Sequence, residues 1–150
     1  MFFDYEAYEE ACRKEQEINE QYLLIFEQDL TQAGFTEKTI SRHLRNVDFY
    51  LNTFLLREEP KAMADGVACL DMFLGDFFIR KCMWSTPGSI KSNAASIKKF
   101  YKCMADHGKI EQRDYDYLCR EIRENLLSWQ TDCEIYNDPD APNPFSPFLF

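Results

Sequence analysis

Ser85-Thr-Pro-Gly-Ser-Ile-Lys-Ser-Asn-Ala-Ala-Ser-Ile-Lys-Lys-Phe-Tyr-Lys102 is the stretch on which the fold turns. Thr86 before Pro87 is a strong helix start. Proline at the first helical position needs no hydrogen-bond donor, and a threonine hydroxyl accepts from the free amides of the first turn. Ile90, Ala94, Ile97, Tyr101 and Met104 then recur every three or four residues, the period of one helix face, and Gly108 supplies a stop.

Working outward, Gly34 punctuates the chain and Thr36 caps a helix with the stripe Ile40, Leu44, Val47, Leu51 and Phe54, ending before Pro60. Val67, Leu70, Phe73, Leu74, Phe77 and Phe78 predict a third helix between these two, and its aromatics place it centrally in the core. On the N-terminal side, Tyr5, Tyr8, Cys12, Ile18, Tyr22, Ile25 and Leu30 predict one or two amphipathic helices, the part up to residue 17 being the more polar and prone to fray. On the C-terminal side, Leu118, Ile122, Leu126, Trp129 and Cys133 predict a fifth helix from near Asp114. Four of the six prolines (Pro139, Pro142, Pro144, Pro147) then exclude helix from residues 138–150. The expected class is all-α: a four- to five-helix bundle in one domain over residues 1–137, with acidic terminal helices and a Pro-rich tail.

Composition agrees. With 150 residues, 45% of them hydrophobic, and 13 Phe, 8 Tyr and 2 Trp, the chain can fill one ordinary core. Five glycines and six prolines are few for a β-sandwich, a barrel or a nucleotide-binding sheet. Apolar runs such as Tyr22 to Phe26 fall far short of the roughly 20 residues that span a bilayer. The acidic start lacks the basic opening of a signal peptide. No membrane association and a cytoplasmic location are expected.

The six cysteines stand singly, with no Cys-x-x-Cys pair, and read as free thiols in a reducing compartment. His43 and His107 are too few and too far apart in sequence for a zinc set, so no cofactor or metal is expected. The net charge of −9 opposes nucleic-acid binding, but its distribution does not. Residues 1–30 hold 2 basic and 9 acidic side chains, 31–62 hold 5 and 4, 63–110 hold 7 and 4, and 111–150 hold 3 and 9. The middle is mildly basic between acidic ends, and screening over about 8–10 Å makes the local field the one a ligand meets.

The phrase Gly34-Phe-Thr-Glu-Lys-Thr-Ile-Ser-Arg-His-Leu-Arg-Asn-Val-Asp-Phe-Tyr-Leu51 and the quoted 85–102 phrase, separated by one aromatic helix, resemble the N-terminal core-binding domain of tyrosine recombinases and phage integrases. The aromatic pair Phe100-Tyr101 and the His107-Gly108 ending fit the same pattern. The resemblance covers residues 20–110. It implies a SAM-like bundle whose second and fourth helices face duplex DNA. It also implies a DNA side of Lys38, Thr39, Arg42 and Arg45 on the second helix, with Lys91, Ser92, Ser96, Lys98, Lys99 and Lys102 on the fourth.

Periodicity independently places Arg42, Arg45 and Phe49 away from the second helix's apolar stripe, and Lys91, Ala95, Lys98 and Lys102 away from the fourth's. Lysines and arginines there would neutralise phosphates, while Thr39, Ser92, Asn93 and Ser96 would donate to phosphate oxygens or base edges. In that family the chemistry belongs to a larger C-terminal domain, and no such domain follows residue 110. Tyr115 and Tyr117 stand among Asp114, Asp116 and Glu121, which repel a phosphate, and read as packing residues rather than nucleophiles. The expected function is therefore a non-catalytic DNA-binding module in recombination, integration or their regulation, acting as a homodimer or with a separate recombinase. The alternative is an acidic helical protein-interaction module, suggested by the acidic ends and by Phe145, Phe148, Leu149 and Phe150 in the tail.

Overall fold

Asp4 starts the first helix: its carboxylate accepts from the Ala7 amide at 3.1 Å, and α1 runs from Tyr5 to Gln32. In this computed structural model, which describes residues 4–141, helices α2 (Glu37–Asp48), α3 (Leu70–Met72), α4 (Phe78–Lys81), α5 (Pro87–Asp106) and α6 (Gln112–Asn137) follow. The chain is an all-α bundle, and no strand occurs among the described residues. The tail residues Pro142, Pro144, Phe145, Pro147, Phe148, Leu149 and Phe150 lie outside them.

The expected punctuation holds. Thr36 and Thr86 accept from the amides of Thr39 and Ser89 at 3.2 and 3.0 Å, and Pro87 is the first residue of α5. Gly34 and Gly108 close α1 and α5 at φ of +87° and +73°, a backbone region in which a side chain is strained. Of the one or two helices expected, the N-terminal segment forms one continuous helix. Its first turns are tied down, since the Tyr8 hydroxyl and the Cys12 thiol both donate to the Leu56 carbonyl.

The third predicted helix is not a uniform one. A 3-10 segment (Met63–Ala68) leads into α3, and a π-helical segment (Phe73–Phe77) joins α3 to α4. The helix beginning at α2 also continues as a π-helical segment over Phe49–Phe54. The wide turns show in the i→i+5 bond from the Leu55 amide to the Tyr50 carbonyl at 3.0 Å. The two segments face one another through their rings. Phe73 lies 4.9 Å from both Tyr50 and Phe54, and Phe77 lies 5.1 Å from Phe54, measured between centroids.

Phe49 therefore does not face outward, as helical spacing predicts. It is half-buried against Phe73, Phe77 and Trp84. A single core runs from Phe26 of α1 to Cys133 of α6. α6 lies along α5 and is fixed by polar bonds as well: Trp129 Nε1 donates to Asp71 at 2.7 Å, and Asn137 donates to the Ser85 carbonyl at 2.8 Å. No helix among the described residues is long and apolar enough to cross a membrane.

Candidate nucleic-acid interface

The two phrases that carry the resemblance become α2 and α5, and the fold packs them against one another. Ile40 and Val47 of α2 and Ile90, Ala94 and Ile97 of α5 are buried. A polar seam runs through the same contact. His43 Nδ1 lies 2.7 Å from Ser96 Oγ, and Asn46 Nδ2 donates to Ser96 Oγ at 3.0 Å and to Ser92 Oγ at 3.4 Å. Ser96 accepts from Asn46, and its own hydroxyl proton can go to a His43 Nδ1 that carries a lone pair, an arrangement that suits a neutral imidazole. Burial, aided by the charges of Arg42 and Lys99, lowers the His43 pKa in the same sense.

This seam corrects two of the predicted DNA-contacting residues. Ser96 is fully buried and engaged by His43 and Asn46, so it presents nothing to a phosphate. Asn93 is also buried, and its amide donates to the Ser89 carbonyl at 2.9 Å. Small polar side chains fit at the contact between two close helices, a role that spacing does not separate from an outer polar position. Ser92 and Thr39 are half-buried, and Thr39 Oγ1 takes part in the α2 cap through Thr36.

The predicted cations are all exposed: Lys38, Arg42 and Arg45 on α2, and Lys91, Lys98, Lys99 and Lys102 on α5. Their settings differ. Lys102 is bound to Asp106 at 2.7 Å and is electrically satisfied within its own helix. Arg45 lines a groove of about 320 Å³ between α1 and α2, together with Glu20, Glu27 and Asp48. Lys99 Nζ sits 4.9 Å above the Phe35 ring, which orients it without cancelling its charge. Among the described residues Lys38, Arg42, Arg45, Lys91, Lys98 and Lys99 make no ion pair.

The seam also makes a prediction about acid stability. The folded-state pKa of His43 lies below its ordinary 6.5, so between the two values the unfolded chain binds the extra proton. Stability is then highest above the unfolded value and falls as pH drops through it. The urea midpoint of unfolding is expected to fall between about pH 7.5 and about pH 5.5, and to fall less in His43→Gln. Asp29, whose carboxyl is held below its ordinary 3.8 by the Cys103 hydrogen bond and by His107, stays ionised over that range and adds no slope of its own.

The tyrosines and cysteines fill other roles. Tyr115 packs on the core as expected, but Tyr117 is exposed and donates to Glu121 at 2.8 Å instead of packing. All six cysteines are free thiols, and burial pushes Cys82 up to about 11 and Cys103 up to about 12. Sequence spacing overlooked one constellation. Asp29 of α1 meets Cys103 and His107 at the end of α5, with Oδ2 3.0 Å from the thiol and 2.9 Å from His107 Nε2. The Cys-x-x-x-His spacing was its visible half, because residues four apart share a helix face, whereas Asp29 is far away in sequence. No known family, curated protein or solved structure matches this chain.

Proposed function

We propose that the chain is a non-catalytic DNA-binding module, similar in use to the core-binding domain of tyrosine recombinases, that meets the phosphates of a duplex with the outer sides of α2 and α5. The observation that carries this reading is the pair Arg42 and Lys99. They come from the two helices that pack on one another, both are exposed, and neither is neutralised by a carboxylate among the described residues. The buried His43–Ser96–Asn46 seam fixes the two helices in register, so the cations they carry keep a set spacing without ordering a loop on binding. Lys38, Lys91 and Lys98 extend this face, Lys102 contributes little beside Asp106, and Arg45 stands among acids. Strand cleavage would be supplied by a separate recombinase.

Fluorescence anisotropy of a labelled random duplex at about 50 and 200 mM salt tests the reading. Saturable binding that weakens with salt is expected. No binding at the lower salt would sink it, and would favour the protein-interaction alternative. One observation supports that alternative: the α1–α2 groove is lined by Leu23, Leu24 and Leu44 and by three carboxylates, Glu20, Glu27 and Asp48, against the single cation Arg45, which suits a basic amphipathic segment.

A further inference from the structure

We propose that Asp29, Cys103 and His107 form a zinc-binding site that staples the C-terminal end of α1 to that of α5. One carboxylate oxygen, one sulfur and one imidazole nitrogen come from two helices, and all three ligand atoms lie within 4.8 Å of one another. Zinc bonds of about 2.0–2.3 Å in a tetrahedral arrangement set ligand atoms roughly 3.3–3.5 Å apart. Asp29 Oδ2 stands 2.9 Å from His107 Nε2 and 3.0 Å from Cys103 Sγ, so these two pairs need to open by only about half an ångström to accept the ion.

The surroundings favour a cation. Asp29 lies in the last turn of α1 and Cys103 in the last turn of α5, where carbonyl dipoles point outward. Neither last turn carries a basic residue, although backbone amides of residues 33–35 and 107–109 bond most of those carbonyls. Asp29 and His107 are partly exposed, with side chains at 38% and 41%, and a shallow groove beside Phe26, Leu30 and Phe35 reaches the cluster from solvent. That groove gives the ion a path and leaves a fourth position for water. Lys99 and Lys102 also line it; Asp106 neutralises Lys102, whereas Lys99, held over the Phe35 ring, keeps its charge and opposes the ion.

The donor set selects the metal. A thiolate and an imidazole suit zinc and disfavour magnesium or calcium, which take oxygen ligands. On binding, the Cys103 S–H bond breaks and its proton leaves to solvent. Neutral His107, whose Nε2–H donates to Asp29 in the free site, passes that proton through solvent to its own Nδ1 and gives the Nε2 lone pair to the ion, while the carboxylate of Asp29 exchanges its two hydrogen bonds for one metal bond. One proton is released per ion and no electron moves.

Cobalt(II), which takes zinc sites and reports a thiolate ligand by its near-ultraviolet charge-transfer band, is the probe. The full chain, kept reduced with a phosphine, is titrated with cobalt(II) and then with zinc. We expect one ion per chain, the thiolate band, and its loss on adding zinc. Cys103→Ser should abolish the band while Cys119→Ser retains it. His107→Ala changes a partly exposed side chain and should weaken binding roughly tenfold or more. A wild-type chain without the band, or a band that survives Cys103→Ser, overturns the site. If Cys103→Ser does not fold, unchanged affinity in His107→Ala overturns it alone. DNA binding plays no part in this readout, so the site and the proposed function fail or stand separately.

Discussion

Phe73→Ala is expected to destabilise the fold by about 3–5 kcal/mol, the range for deleting a large buried aromatic whose site cannot collapse. Phe73 is fully buried and its ring touches those of Phe49, Tyr50, Phe54, Phe77 and Phe78. It stands where the rings of the two π-helical segments meet. The cavity left by alanine would be lined by rings that are themselves pinned. Tyr50, for example, donates from its hydroxyl to the Gly66 carbonyl at 2.6 Å. Urea unfolding followed by circular dichroism checks the magnitude. Phe73→Leu, which keeps most of the volume, should lose clearly less. Equal losses in the two variants would show that ring geometry, not filled volume, holds the contact.

That contact also marks how far the sequence could be read. The stripe of aromatics from Phe73 to Phe78 indicates a central position because large apolar side chains have nowhere else to go. Thr86-Pro87, Thr36, Gly34 and Gly108 fix helix ends through local chemistry, so those ends were legible. The π-helical segments were not, since an α turn and a π turn use the same residues and tertiary packing decides between them. Phe49 stands at the start of one such segment and closes onto Phe73, Phe77 and Trp84, contacts that spacing within one helix does not encode. Ser96 and Asn93 failed differently. A small polar residue beside an apolar stripe can serve either solvent or a neighbouring helix, and only the approach of α2 to α5 resolves which. Asp29, Cys103 and His107 depend on α1 and α5 ending side by side, a long-range fact that no short spacing encodes.

The replacement of Arg42 and Lys99 together by alanine carries the largest expected functional effect. Each phosphate contact adds about 0.9 to the slope of log affinity against log salt, so losing two should flatten the slope by about 1.8 and weaken binding roughly 10- to 100-fold near 0.1 M salt. The loss should be the same for unrelated duplex sequences, because phosphate contacts carry no base information. Lys102→Ala makes the internal comparison. Its ammonium already sits on Asp106 at 2.7 Å, so its removal should change the slope far less than loss of either free cation. Removing Arg42 and Lys99 also takes away two charges that oppose protonation of His43, so the His43 pKa should move up toward its ordinary value. Because exposure of His43 would raise its pKa as well, urea unfolding of the double variant is the check that the α2–α5 seam was kept. An unchanged urea midpoint with unchanged DNA affinity would show an intact seam and a face that does not meet DNA.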